Sequence, residues 1–186
     1  YPLGLLLVPN ASPFQRDKAT VREPLVTQRA QEMNTHVAYV NIAGGQDDLV
    51  FDGDSMIVSP AGHRTVSSAW FDEDVTVADL EIPSFGAEAP LPAGARRVEL
   101  AGVRAPGSQP LPPPTPRTDD PLELVWQAIT TGIRDYVNKN GFPSVILGLS
   151  GGIDSALCAS LATDALGPQR VFGVGMPSAH SSEHSL

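Results

Sequence analysis

The chain has 186 residues, of which 12 are Lys or Arg and 21 are Asp or Glu, so its formal net charge at pH 7 is −9. Nucleic-acid-binding proteins and cationic membrane-surface helices are basic, so this balance argues against both classes. No stretch of the sequence approaches the roughly 20 apolar residues of a membrane span. The one cysteine excludes an intrachain disulfide and predicts a reducing, cytoplasmic location.

The ends of the sequence lack the form of domain boundaries. The sequence begins with Tyr1 rather than with a Met, and an apolar run follows almost directly. It ends with Leu186, in a Ser- and His-rich segment after a predicted strand. We interpret the sequence as an internal segment of a longer protein, the alternative being a complete small protein.

Proline divides the chain, because ten of its 18 prolines fall between Pro83 and Pro121. Such a stretch is stiff and extended and forms neither helix nor central strand. The predicted organisation is therefore a first part over residues 1–83, a linker over 84–120 and a second part over 121–186.

Before the linker, the hydrophobic pattern predicts several short strands and one helix, as in half of a layered α/β domain. The predicted elements are a strand at Leu3–Val8, a helix from about Thr20 to Thr35, a strand at Val37–Ile42, a turn at Gly44-Gly45, and strands at Leu49–Phe51, Ser55–Ser59 and Val75–Leu80.

After the linker, the pattern predicts a helix followed by a strand–loop–helix–strand unit with a parallel sheet. Pro121 suits a helix start, with Asp119 or Asp120 as its cap, and Asn140-Gly141 ends that helix. The remaining predicted elements are a strand at Val145–Leu149, a tight loop at Ser150–Gly152, a helix at Ser155–Leu166 and a strand at Val171–Met176.

The loop between the first of these strands and its helix has the composition of a phosphate-binding loop. Two glycines let the backbone approach a ligand, and the helix N-terminus presents unpaired N–H groups. Asp154 would repel phosphate unless a cation lies between them, which predicts a Mg²⁺ ligand. The candidate ATP-binding residues are Gly148, Leu149, Ser150, Gly151, Gly152, Ile153, Asp154 and Ser155. The alternative is a glycine-rich turn with a Ser or Asp helix cap.

This loop, Ser-Gly-Gly-Ile-Asp-Ser from Ser150, is neither a Walker A loop nor a dinucleotide fingerprint. It resembles the pyrophosphate loop of the N-type ATP pyrophosphatases, which adenylate a carbonyl oxygen. The segment Val171–Ser178, followed by Ser181, Ser182 and Ser185, is similar to the strand and loop that border ATP in NAD synthetases. This resemblance adds Met176 to the candidate ATP-binding residues.

The first part carries an independent resemblance to the nitrilase-like glutaminase domain of glutamine-dependent NAD synthetases. It rests on Asn10–Phe14 with Lys18, on Tyr39–Asn41 and on Gly44–Ser55. Ser12 and Lys18 match the family positions that hold glutamine, and a hydroxyl and an ammonium suit its α-carboxylate.

The resemblance implies an α/β chain built from the C-terminal part of an αββα sandwich, the Pro-rich linker and the start of a parallel-sheet ATP pyrophosphatase domain. It implies ATP and Mg²⁺ as cofactors, deamido-NAD and glutamine or ammonia as substrates, and a homo-oligomer. The catalytic Cys, Glu and Lys of the glutaminase would lie upstream of Tyr1, so no catalytic residue is assigned within the chain. Cys158 is predicted to be a core residue with Leu161 and Ala162.

Two other functions stay open at this point. One is a different glutamine-dependent ligase of the ATP pyrophosphatase type, which substrate preference would distinguish. The other is a non-catalytic nucleotide-binding segment, which would bind ATP without turnover.

Overall fold

A computed structural model describes residues 3–83, 93–96, 98 and 120–175. Its helices and strands, in chain order, are β1 (Leu5–Asn10), α1 (Ala19–Glu32), β2 (His36–Asn41), β3 (Ala43–Gln46), β4 (Leu49–Asp52), β5 (Met56–Val58), β6 (Arg64–Ser67), α2 (Pro121–Lys139), β7 (Val145–Leu149), α3 (Ile153–Leu166), a 3₁₀ turn at Pro168–Arg170 and β8 (Val171–Gly175). The mixed α/β class predicted from the sequence is confirmed.

The described helices include none that is both long and apolar enough to cross a lipid bilayer.

The first part forms a four-stranded sheet with α1 packed against it. The strand order is β1-β2-β5-β6, with β1 and β2 parallel and the other pairs antiparallel. α1 contributes residues four apart, which share one helix face, and β2 and β5 contribute alternate residues, which share one sheet face. The resulting core consists of Val26, Ala30, Val37, Tyr39, Met56 and Val58.

β3 and β4 form a separate two-stranded sheet, so the predicted turn at Gly44-Gly45 is wrong. Gly44 pairs with Phe51 and Gly45 with Val50, both inside the hairpin. The reversal lies two residues later, where Asp47 has a φ of 51°. The glycine pair misled the prediction because glycine marks close backbone approach as well as turns, and here a helix approaches it.

That helix is α2, which packs from the second part onto the hairpin and the loop before α1. Asp120 caps it as predicted, because its side chain accepts a hydrogen bond from the Leu122 N–H at 2.8 Å. Ala128 joins Trp70 and Phe71 in a second buried cluster, against which Phe14, Ala19, Val50 and Leu124 also pack. The two parts of the chain therefore share an apolar contact.

The predicted strand–loop–helix–strand unit is confirmed. β7 and β8 are parallel, with Val145 opposite Val171 and Leu149 opposite Gly175, and α3 connects them. A Cβ on Gly173 would come 2.6 Å from Leu149 Cδ1, so the glycine allows the neighbouring leucine its position. The loop after β7 and the end of β8 consequently lie at the same edge of the sheet.

Two other predictions are wrong, one strand was not predicted, and the predicted linker lies mostly outside the described residues. Residues 75–80 form no strand, and Val75 is 89% exposed, because no described strand pairs with them. Cys158 is exposed rather than buried. Leu161 and Ala162, in the C-terminal half of α3, are buried, but no described residues bury the N-terminal half of the helix, where Cys158 lies. β6 was not predicted. Most of the linker, residues 84–120, lies outside the described residues.

Candidate functional site

Ser12 is held in the loop after β1 by the side chain of Asn41. The Ser12 N–H donates to Asn41 Oδ1 at 2.7 Å, and Asn41 Nδ2 donates to the Ser12 carbonyl at 3.1 Å. Asn41 is the last residue of β2, whose partner β1 ends beside it, so the strand pairing places the amide against the loop. Two hydrogen bonds to one backbone unit position the Ser12 hydroxyl.

Behind Ser12 lies Arg22, a buried cation from α1. Its Nη1 lies 3.0 Å from Asp52 and 3.4 Å from Asp54, and its Nη2 lies 3.4 Å from Ser12 Oγ. The guanidinium also lies over the Tyr39 ring, 5.6 Å from its centroid. Buried ions are tolerated when they are paired and hydrogen-bonded, and this arginine meets both conditions.

The ion pairs continue outward through Asp54, which is fully buried. Arg64 Nη2 donates to Asp54 Oδ1 at 2.7 Å, and Arg64 Nη1 donates to Glu23 at 3.0 Å. We call Arg22, Asp52, Asp54 and Arg64 the buried charge network. Two arginines balance two aspartates in it, so the network is neutral.

Asp52 is the network member with a resolved shift in its pKa. Burial raises the pKa of the Asp52 carboxyl above its ordinary value of 3.8, the Arg22 hydrogen bond and charge oppose that rise, and the neighbouring Asp54 charge adds to it. Asn41 Nδ2 also donates to Asp52 Oδ1, at 2.9 Å. The Ser12 loop and the buried charge network therefore form one hydrogen-bonded unit.

Lys18 lies at the N-terminus of α1, one turn before Arg22, and its Nζ donates to the Pro13 carbonyl at 3.0 Å. An ammonium has three donors, so this bond leaves others for a ligand. Ser12 and Lys18 line one cavity of about 360 Å³ between β1 and α1. The structure thus brings together the two residues that the sequence predicts for glutamine.

The phosphate-binding loop follows β7 and is exposed to solvent. Ser150 Oγ lies 3.2 Å from Ser155 Oγ, the Ser150 N–H donates to Ser155 Oγ at 3.3 Å, and Ser155 Oγ donates to the Gly152 carbonyl at 2.9 Å. Gly151 has a φ of 75°, a conformation that favours glycine. The two serine side chains therefore join the start of the loop to the first turn of α3.

The N-terminus of α3 carries no side-chain cap at Gly152. The first N–H groups of an α-helix have no partner within the helix, so this end faces the loop with hydrogen-bond donors and positive charge. Ile153 and Asp154, in the first turn, are both exposed. Gly148 and Leu149 form the end of β7, and Met176 lies outside the described residues.

Asp154 is the candidate metal ligand on this loop. Among the residues that the structure describes, no three His, Cys, Asp or Glu side chains come together as a metal site. Magnesium takes one or two protein carboxylates and completes its shell with phosphate and water oxygens. Asp154, an exposed carboxylate in the first turn of α3, could supply one such protein ligand.

Sequence reasoning gave no role to Arg22, Asn41, Asp52, Asp54 or Arg64. A signal was present for some of them, because Asn41 ends an otherwise apolar strand and Asp52 and Asp54 flank a glycine. Polar residues at such positions are buried when a partner exists, and only the fold supplies the arginines. Asp47 and Asp48 form the exposed turn of the β3–β4 hairpin.

Comparison with known proteins matches both parts of the chain. Residues 8–87 match the carbon-nitrogen hydrolase family model, and residues 125–186 match the NAD synthase model. A glutamine-dependent NAD(+) synthetase of Xylella fastidiosa is 40% identical over 182 residues, which cover 97% of this chain and 29% of that protein. In sequence and fold, the chain is similar to the corresponding part of the glutamine-dependent NAD synthetases.

Other members of the family give the same picture. The synthetase of Thermotoga maritima is 37% identical over 198 residues, covering 98% of this chain and 34% of its own length. A solved glutamine-dependent NAD⁺ synthetase of Acinetobacter baumannii, in complex with ADP, matches with a TM-score of 0.75 and 33% identity over 98% of this chain and 30% of that one. The chain therefore spans about a third of the length of the relatives that it matches.

Proposed function

We propose that the chain is the central segment of an enzyme that makes NAD from deamido-NAD, ATP and glutamine. In this proposal residues 1–83 are the C-terminal portion of a glutaminase domain, 84–120 are a linker, and 121–186 begin the synthetase domain. The observation that carries it is the pairing, in one chain, of a phosphate-type loop after β7 with the Ser12–Lys18 cavity. Neither feature alone distinguishes this reaction from those of other ligases.

The phosphate-binding loop would hold the ATP. The N–H groups at the N-terminus of α3 and the hydroxyls of Ser150 and Ser155, which lie 3.2 Å apart on the loop, would donate hydrogen bonds to phosphate oxygens. Such preorganised donors stabilise the negative charge that develops on the pyrophosphate leaving group. ADP is present in the Acinetobacter baumannii relative, which supports an adenine nucleotide here.

Asp154 would hold the Mg²⁺ that accompanies ATP. The bound ion would supply charge neutralisation between the carboxylate and the phosphates. Adenylation of the nicotinate carboxylate would then activate it for attack by ammonia, with AMP as the leaving group.

Ser12 and Lys18 would bind the α-carboxylate of glutamine on the other side of the chain. The hydroxyl would donate one hydrogen bond, and the ammonium would supply a charge-assisted one, which is the stronger type. Arg22 and Asn41 hold Ser12 in place for this role. Hydrolysis of the glutamine amide would release the ammonia that the synthetase part consumes.

The exposed Cys158 thiol supports a reducing location such as the cytoplasm, since exposed thiols oxidise outside it.

The test is a donor comparison on the full-length protein that contains this chain. Purified protein is given ATP, Mg²⁺ and deamido-NAD with either glutamine or ammonium, and NAD, AMP and glutamate are quantified. We expect NAD and AMP in equal amounts with both donors, and glutamate with glutamine alone.

The outcomes separate the candidate functions. NAD from ammonium alone would keep the ligase and reject the glutaminase. AMP formation with another carboxylate substrate and none with deamido-NAD would favour a different ligase. ATP binding without AMP formation under either condition would favour a non-catalytic nucleotide-binding segment.

A further inference from the structure

In the contact between α2 and the β3–β4 hairpin, two side chains of α2 bond to the backbone N–H and C=O of one residue, Gly45. Asp135 Oδ2 accepts a hydrogen bond from the Gly45 N–H at 2.6 Å, and Lys139 Nζ donates one to the Gly45 carbonyl. Asp135 and Lys139 are four residues apart on α2 and lie 3.7 Å from each other. We call Asp135, Lys139 and Gly45 the helix latch.

Among the described residues, β3 pairs with β4 alone, so alternate N–H and C=O groups of β3 face away from its partner strand. The latch satisfies two of these groups with ionised side chains. Hydrogen bonds to charged groups are stronger than neutral ones, so this contact is more specific than apolar packing alone.

Glycine is needed at the hairpin for α2 to approach this closely. A Cβ on Gly44 would lie 2.8 Å from Asp135 Oδ2, and a Cβ on Gly45 would lie 3.2 Å from Gly132 Cα. From the helix side, a Cβ on Gly132 would lie 3.1 Å from a methyl group of Val50. Small residues on both surfaces therefore fit the same close approach.

The hairpin connects the latch to the glutamine cavity. β4 ends at Asp52, which bonds to Arg22 and Asn41, and both of these contact Ser12. In the same hairpin, the Val50 carbonyl accepts a hydrogen bond from the Phe14 N–H at 2.7 Å, within the loop that carries Ser12 and Lys18. A displacement of the hairpin would consequently move the predicted glutamine-binding residues.

The other end of α2 leads to the phosphate-binding loop. After Lys139 the chain turns at Gly141 and enters β7, whose end carries the loop. Arg170, which directly precedes β8, donates to the carbonyls of Phe142 and Pro143 and so ties the end of α2 to the sheet. The helix latch therefore lies between the two candidate sites.

Resting on the proposed function, we propose that Asp135 is a positioning residue that couples the two reactions. By fixing α2 on Gly45, it keeps the glutamine cavity aligned with the synthetase part, so that each glutamine hydrolysed yields one NAD. Its loss would waste glutamine and leave the use of free ammonium intact.

The experiment compares Asp135→Ala, Asp135→Asn and Gly45→Ala with the unchanged full-length protein. The asparagine keeps an oxygen that can accept from the Gly45 N–H, whereas the alanine keeps none. Gly45→Ala leaves Asp135 intact and pushes α2 away, and Gly45 has no positive φ that would strain an alanine. Glu123→Ala, an exposed acidic residue on the same helix, is the matched control for lost charge.

We expect the ratio of glutamate to NAD, measured with glutamine, to rise about fivefold in Asp135→Ala and in Gly45→Ala, since the lost interaction is a charge-assisted hydrogen bond. Asp135→Asn should recover most of the coupling, and Glu123→Ala should not differ from the unchanged protein. The kcat and KM with ammonium should stay within about twofold in all four variants, which also shows that they are folded.

Two results would overturn the coupling role. One is an unchanged ratio in Asp135→Ala, and the other is an equal loss of activity with both donors in the alanine and asparagine variants, which would make Asp135 structural. If the unchanged protein makes no NAD from either donor, the proposed function itself fails, so the two failures are distinguishable.

Discussion

The two candidate sites of this chain are organised in opposite ways. The Ser12–Lys18 cavity is backed by ionised side chains that are almost fully buried and paired with one another. The phosphate-binding loop is exposed, and its order comes from backbone geometry, two serine hydroxyls and a helix end. A pair of serines and a helix end are local in sequence, whereas Arg22 is paired with Asp52 and Asp54, which lie 30 and 32 positions away.

This difference predicts different responses to mutation. Removing one member of a buried ion network leaves an uncompensated charge, so damage there should appear as lost stability. Removing a side chain from an exposed loop leaves the fold intact, so damage there should appear as lost activity. The four predictions below test this contrast.

The largest effect is expected at Asp54, which is fully buried between Arg22 and Arg64. Asp54→Ala should lower the free energy of unfolding by about 3–5 kcal/mol, because both arginines lose a buried counter-charge. Urea unfolding, followed by circular dichroism, measures the change. Glu32→Ala, which breaks the exposed pair with Arg29, is the control and should leave stability almost unchanged, because exposed ion pairs contribute little. Equal losses in the two variants would contradict the contrast.

At the phosphate-binding loop, Asp154→Asn should leave stability unchanged and lower turnover about 100-fold with either nitrogen donor, since a charged group at the reacting phosphates is lost. The measurement is NAD formation at saturating ATP and Mg²⁺. Asp164→Asn removes the same charge near the other end of α3 and should retain activity. Normal turnover in Asp154→Asn would reject the metal role.

Lys18 tests the contrast further because it lines the same cavity as Ser12 but lies outside the buried charge network. Lys18→Ala should raise the KM for glutamine about tenfold and leave ammonium use unchanged, because one charge-assisted hydrogen bond to the substrate is lost. Arg16→Ala removes an exposed cation from the same loop and serves as the control. An equal loss with both donors would indicate that Lys18 acts through its bond to the Pro13 carbonyl.

The smallest effect concerns the pH dependence of stability at Asp52. Its pKa in the folded chain is raised above the ordinary value of 3.8, so its contribution to stability is fully present below that pH and is lost as the pH rises through the folded-state pKa. Relative to Asp52→Asn, the unchanged protein should lose stability over this interval, by at most about 1.4 kcal/mol per pH unit for one proton.

Urea unfolding at several pH values from about 3.5 to about 7 gives the difference between the two proteins. Glu32→Gln, an exposed carboxylate whose pKa is lowered by its hydrogen bonds to Gln28 and Arg29, is expected to show the opposite sign of pH dependence. A constant difference between Asp52→Asn and the unchanged protein would mean that the pKa of Asp52 does not change on folding.

The sequence predicted most of the second part, because its signals are local. Pro121 with Asp120 marks the start of α2, Asn140-Gly141 marks its end, and the glycine pair between an apolar strand and a helix marks the phosphate-binding loop. Each of these features depends on residues within one or two turns of each other. The structure confirms both ends of α2 and the loop between strand and helix, with α3 beginning two residues earlier than predicted, and phosphate binding by that loop stays a prediction.

The errors arose where the outcome depends on distant partners. Gly44-Gly45 was predicted to be a turn because the sequence does not show that α2 would pack on it, and Val75–Leu80 was predicted to be a strand although no described strand pairs with it. Cys158 lies in a helical apolar pattern, but burial requires a covering element as well as a pattern. In each case the local sequence pattern is present, but it does not show which distant element packs against it.

By itself, then, the sequence predicted the order of elements in the second part, the loop between β7 and α3, and Ser12 and Lys18 as candidate ligands for glutamine. Only the tertiary structure decided which charged residues are buried, that Arg22 and Asn41 hold Ser12, and that Asp135 grips the backbone of Gly45. The physical reason is the distance along the sequence between the residues that interact. Backbone preferences and helix ends act between near neighbours, whereas ion pairs and close helix packing depend on contacts that form only when the chain folds.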